Sequence, residues 1–182
     1  MEDKSRQVAG ELLRLGIREP AALASVVVHD LLQIYQSGGA QVTLGTAPEP
    51  VRVRRFSMPQ DGDWSDVLFV HAGASVSFPT TLPAEPAALS FRVAMDPDSW
   101  DWGGDGSTFI VLVQTGKREP VEVYRRHISK EEADRRWHEE LVPLAAYSGQ
   151  AITVTLKTEP GPAADYNGDW AGWGQPLIAL EP

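Results

Sequence analysis

The chain predicts an antiparallel β-sandwich of jelly-roll type with a helical N-terminal extension. Three observations lead there. From about Gln41 onward, short β-rich runs alternate with clusters of Pro, Gly and Asp. Within several runs apolar and polar residues alternate, which gives a strand one buried and one solvated face. The start of the chain has another texture, with apolar residues at spacings of three and four. The expected division is a helical segment over residues 1–38 and a sandwich domain over 39–182.

Val8, Leu12, Leu13 and Leu15 recur at helical spacing, and Gly16 ends the run. Pro20 suits a first helical turn. Leu23, Val26, Val27, Leu31, Ile34 and Tyr35 then form an apolar stripe that Ser37, Gly38 and Gly39 close. The run Val26-Val27-Val28 is β-branched and also suits a strand, but the length of the stripe favours helix. Candidate strands follow at 51–56, 67–71, 74–78, 88–95, 108–115, 121–126, 138–144, 152–158 and 177–180. Leu89, Phe91 and Val93 alternate with Ser90 and Arg92, and Ile152, Val154 and Leu156 with Thr153, Thr155 and Lys157. The run 129–137 reads as a short helix between strands, with Ser129 as cap and Glu132 as its capping-box partner.

At 182 residues the chain can bury a full core in one domain. Its net charge of -9 repels nucleic acid, and Arg52/Arg54/Arg55, Arg125/Arg126 and Arg135/Arg136 are too short as clusters to reverse that. No apolar run has the length of a membrane span. Cysteine is absent, which excludes disulfides and thiolate zinc sites. The start Met1-Glu2-Asp3-Lys4-Ser5 lacks the layout of a secretory signal. The expectation is a cytoplasmic chain, unless it is a fragment of a longer secreted protein.

Two loops carry the chemistry. The first holds Asp165, Tyr166, Asn167, Gly168, Asp169, Trp170, Gly172 and Trp173. Indole faces bind sugars by stacking on the apolar C–H face of a pyranose while polar neighbours take the hydroxyls. Each tryptophan has two readings, a plug for the end of the sandwich or a sugar platform. The plug is favoured for Trp170, and Trp173 is taken as ligand-facing, with Asp165, Asn167 and Asp169 as polar partners. The second loop runs over 96–106. Its carboxylates Asp96, Asp98, Asp101 and Asp105 suit a hard cation, which makes calcium the candidate ion. The spacing lacks the closing glutamate of an EF-hand, and a solvated Asp/Gly turn needs no metal. Trp100 and Trp102 share a face if that segment is extended, and they join the ligand set. If both loops lie at one end of the sandwich, four tryptophans converge there.

Catalytic motifs are missing. His29, His71, His127 and His138 are scattered, and there is neither a Gly-x-Ser-x-Gly elbow nor a Gly-rich phosphate loop. An acidic pair could still hydrolyse a glycosidic bond, so a glycoside-active enzyme is the second alternative.

From Asp105 onward the sequence resembles galactose-binding-like jelly-roll modules, in particular bacterial carbohydrate-binding modules with an Asp-Trp-Ala motif before the last strand. The pieces that carry the resemblance are Asp105-Gly106-Ser107-Thr108-Phe109, the run Leu144 to Gln150 leading into Ile152, and Asp169-Trp170-Ala171 before Leu177-Ile178. The resemblance implies a non-catalytic binding module, a sugar site in the loops at one end, and a structural calcium ion. The helical start has no counterpart in it, and the attached enzyme usual for such modules is not expected here. The expected function is recognition of a glycan or glycoconjugate. The first alternative is an assembly protein whose N-terminal helices mediate homodimerisation or docking to a partner protein.

Overall fold

The computed structural model describes residues 26–60 and 62–181. Among them, eleven strands and one α-helix follow in order: β1 (Val27–Asp30), α1 (Leu31–Gln36), β2 (Gln41–Thr43), β3 (Arg52–Ser57), β4 (Trp64–Phe69), β5 (Ser75–Thr81), β6 (Ala87–Met95), β7 (Ser107–Thr115), β8 (Val121–Ile128), β9 (His138–Pro143), β10 (Ala151–Pro160) and β11 (Ala171–Leu180). Strand pairs are antiparallel throughout. A six-stranded sheet runs β3-β4-β11-β6-β9 with β1 also on β11, and a five-stranded sheet runs β2-β5-β10-β7-β8. The sandwich expected from the alternation is the fold, and each of the nine runs read as strands overlaps an observed strand.

Four local expectations need correction or placement. The expected helix around Val8 to Leu15 lies outside the described residues. The helix expected through Val26-Val27-Val28 is a strand there, and only Leu31–Gln36 is helical. The β-branched run found an open strand edge to pair with, and Asp30 starts the helix by accepting the Gln33 N–H at 3.0 Å. Helix is therefore a minor part of the described chain. The run 129–137 holds only a 3-10 turn at Glu132–Asp134. Ser129 bonds Asp134 instead of Glu132: the Asp134 carboxylate accepts its backbone N–H at 3.0 Å and its hydroxyl at 2.7 Å, closing a loop. Finally, β11 begins at Ala171 and not at residue 177.

That longer β11 organises its sheet. Gly172, Trp173 and Gly174 pair with β4, whereas Leu177, Ile178 and Ala179 pair with β1 on the same edge. The change of partner falls at a bulge between Gly174 and Leu177, where Gln175 takes a φ of 46°. On the other edge β6 follows both halves.

The core lies between the sheets. Phe78, Val154 and Val113 form one rung of the five-stranded sheet, and Val76, Leu156 and Val111 the next. Trp173 crosses from the six-stranded sheet into this layer. It is 0% exposed, packs on Phe91 and Phe109 at 5.2 Å each, and donates its indole N–H to the Thr158 hydroxyl at 3.2 Å. The expectation that Trp173 faces a ligand is therefore corrected. Strand alternation turns Trp173 inward and its neighbours Gly172 and Gly174 outward. Phe56 and Trp137 pack where side chains on those glycines would project.

Truncating Trp173 removes a fully buried indole that joins the sheets. Trp173→Ala is expected to cost about 3–5 kcal/mol in denaturant unfolding. A loss below about 1 kcal/mol would contradict the placement.

Candidate functional site

The chain passes from one sheet to the other at most connections, and each passage reverses its direction. The β2–β3, β4–β5, β6–β7, β8–β9 and β10–β11 loops consequently gather at one pole, as the register requires. Both loops singled out from sequence are among them. They touch directly: the Asp96 N–H donates to the Trp170 carbonyl at 2.7 Å, and Trp102 meets Trp170 edge-on with ring centroids 4.6 Å apart.

Trp102 is 58% exposed. Trp170, half-buried beneath it, packs on Phe69 at 6.3 Å and lies 4.9 Å under the Arg54 guanidinium. Arg54 is itself held by Asp96 at 2.9 Å. The outer ring is thus braced by a chain of contacts that ends on a buried carboxylate. Trp170 seals part of this end, as a plug would, and also supports the exposed ring. Trp100 is 8% exposed and lies under Arg135 at 5.3 Å. Its expected place beside Trp102 is corrected: the 3-10 turn Pro97–Ser99 breaks the extended geometry that a shared face required.

The polar candidates separate in the same way. Asn167 is exposed and Asp165 half-buried; the Asp165 carboxylate accepts the Asn167 N–H at 2.9 Å. Tyr166, 40% exposed, shares a hydrogen bond of 3.2 Å with Thr46. Asp169 is 0% exposed, so its expected contact with a ligand at the surface is corrected. Its carboxylate oxygens find no hydrogen-bond partner among the described residues.

The four carboxylates expected to bind calcium are not assembled as ligands. Asp96 accepts the Asp98 N–H at 3.1 Å and pairs with Arg54. Asp98 is exposed in the 3-10 turn. Asp101 pairs with Arg135 at 3.2 Å, and Asp105 accepts the Ala163 N–H at 2.6 Å. Among the described residues no three His, Asp or Glu side chains group as a metal site. Each carboxylate serves local structure, which composition alone does not distinguish from a ligand set.

A buried lysine, Lys130 from the β8–β9 loop, joins Arg54 and Arg135 at this pole. It is 8% exposed and donates to the carbonyls of Gly103 and Asn167, the latter at 2.8 Å. Burial lowers its pKa, against the charges of Asp169, Asp165 and Asp105. Burial pushes Asp169 up to about 7; Lys130 opposes this, Asp105 and Asp165 add to it, and Ser107 opposes it weakly. No motif marks Lys130 in the sequence, since only the meeting of three loops makes it central. Beside it opens a cavity of about 790 Å³ lined by Gln60, Trp100, Asp105, Lys130, Glu132 and Arg135. Trp100 Nε1 and Asp105 Oδ1 are buried without a hydrogen-bond partner among the described residues.

Asp169 gives a pH signature. Its folded pKa of about 7 lies above the ordinary aspartate value, so its contribution to stability is whole below about pH 4 and is lost as pH rises through about 7. The melting temperature of the native protein relative to Asp169→Asn is expected to fall between about pH 4 and 7. Parallel profiles would contradict the burial of an unpaired carboxyl.

No family model matches the chain. An uncharacterized protein of Archaeoglobus fulgidus is 38% identical over 95 residues, which are 50% of this chain and 24% of that protein. The chain thus matches about a quarter of that relative's length. Among solved structures, TmCBM61 in complex with beta-1,4-galactotriose superposes with a TM-score of 0.51 at 13% identity, over 84% of this chain and 99% of that one. The CBM51-2 and INT domains of Clostridium perfringens ZmpB, solved with GlcNAc, superpose with a TM-score of 0.50 at 14% identity, over 77% of this chain and 29% of that one. At these identities the likeness is one of fold: two antiparallel sheets packed as a β-sandwich, as in those carbohydrate-binding modules.

Proposed function

We propose that this chain is a non-catalytic module that binds a glycan on Trp102, at the junction of the β6–β7 and β10–β11 loops. The observation that carries the reading is an indole 58% exposed yet braced edge-on by a second, half-buried indole. Large exposed rings that are fixed in place lose little freedom when a ligand arrives. A pyranose stacks its C–H face on such a ring, and its rim hydroxyls find the Asp165 carboxylate, the Asn167 amide and the Tyr166 phenol on the neighbouring loop.

The charge of the chain narrows the ligand. A net charge of -9 and the carboxylates of this pole disfavour sulfated or uronic-acid-rich polymers and favour neutral sugars. The sugars bound in the two solved neighbours, a galactotriose and GlcNAc, are neutral hexopyranoses of that class.

A panel of neutral oligosaccharides, including galactose- and N-acetylglucosamine-containing ones, is expected to yield a binder by calorimetry. Trp102→Ala should weaken that binder about tenfold or more while leaving the protein folded by circular dichroism. A binder that ignores Trp102→Ala, or a panel with no binder, would overturn the proposal.

A further inference from the structure

The platform on Trp102 leaves the cavity beside Lys130 without a role. We infer that this cavity is a second sugar subsite, which holds the residue linked to the ring stacked on Trp102, so that the module reads two joined neutral sugars and not one. The inference rests on the glycan reading and gives it a second point of contact.

Three loops wall the cavity: Gln60 comes from β3–β4, Trp100 and Gly104 from β6–β7, and Lys130, Glu132 and Arg135 from β8–β9. Its volume of about 790 Å³ lies within the range of about 300–1,000 Å³ usual for small-ligand sites. It adjoins the platform through a shared wall. Lys130 donates to the carbonyl of Gly103, which stands between Trp102 and Gly104 in the chain. A Cβ on Gly168 would meet both the Lys130 ammonium and, at 3.2 Å, the Trp102 Cβ. A glycan leaving the exposed ring therefore has the cavity next to it.

The lining suits hydroxyl groups. Trp100 is 8% exposed, and its indole N–H has no acceptor among the described residues. A buried donor without a partner is costly, and a ligand oxygen relieves that cost. The Arg135 guanidinium lies over the Trp100 ring at 5.3 Å, so this indole offers its N–H and no open face for stacking. Gln60, Glu131 and Glu132 are exposed in the same lining and add an amide and two carboxylates. Lys130 and Arg135 stand against Asp105, Glu131 and Glu132, so neither sign of charge dominates. A neutral ligand that both donates and accepts fits such a lining better than a sulfate or an amine does. The wall is also fixed in advance: Arg135 donates to the Lys130 carbonyl at 2.9 Å and to Asp101 at 3.2 Å, and Lys130 to the Asn167 carbonyl at 2.8 Å.

Calorimetry with matched sugars tests this: galactose against galactobiose, N-acetylglucosamine against its β-linked disaccharide, and glucose against cellobiose. At least one disaccharide is expected to bind the native protein about tenfold tighter than its monosaccharide. In the triple variant Gln60→Ala, Glu131→Ala, Glu132→Ala, which alters exposed side chains only, that ratio should fall about threefold or more. Trp102→Ala should weaken both members of the pair. A ratio near one in the native protein, or a ratio that the triple variant keeps, would overturn the subsite and leave the Trp102 platform standing. A ratio that falls in the triple variant while Trp102→Ala binds as the native protein does would instead overturn the platform and the link to it. No binding by any pair would overturn both.

Discussion

Lys130 lies between the carbonyls of Gly103 and Asn167, and the backbone of Gly104 runs against that same Asn167 carbonyl. On this constraint the rest of the pole depends. The β6–β7 and β10–β11 loops are distant in sequence and glycine-rich, and either alone would be loose. Tied through one ammonium, through the Asp96–Trp170 backbone hydrogen bond and through the Trp102–Trp170 pair, they become one surface. Acidic side chains that look like surplus charge in the sequence are paired with arginines here, Asp96 with Arg54 and Asp101 with Arg135.

The scaffold beneath is held by a different device. Trp173 fills the space between the sheets and bonds Thr158 across it. Its strand neighbours Gly172 and Gly174 leave the opposite face open to Phe56 and Trp137. One short segment, Trp170 to Gly174, therefore carries the pole on its first residue, which is half-buried, and the core on its fourth, which is fully buried.

Much of the sandwich was legible because its evidence is local. Alternation in 88–95 and 152–158 reports which side of a strand meets the core, and the observed burial follows it. The start of β11 was not legible, because Gly172 and Gly174 read as loop residues until the packing of Phe56 and Trp137 explains them. With β11 begun too late, alternation could not be applied to Trp173, and a core indole was read as ligand-facing. The segment Val26-Val27-Val28 shows the same limit: its spacing suits helix, its branching suits strand, and only the free edge of β11 beyond the bulge decides. At the pole, sequence found Trp102, Asp165 and Asn167 but not Lys130 or Arg54. Those two cations matter through partners on other loops, a relation that spacing along the chain does not encode.

The proposed role of the pole reduces to where a sugar ring sits. Solving the crystal structure with a neutral oligosaccharide that binds in solution locates that ring. The expected result is a pyranose stacked on Trp102, with its hydroxyls toward the Asp165–Asn167 loop and the pole backbone unmoved. A sugar bound instead across the outer face of the six-stranded sheet near Trp137, with Trp102 free, would contradict it.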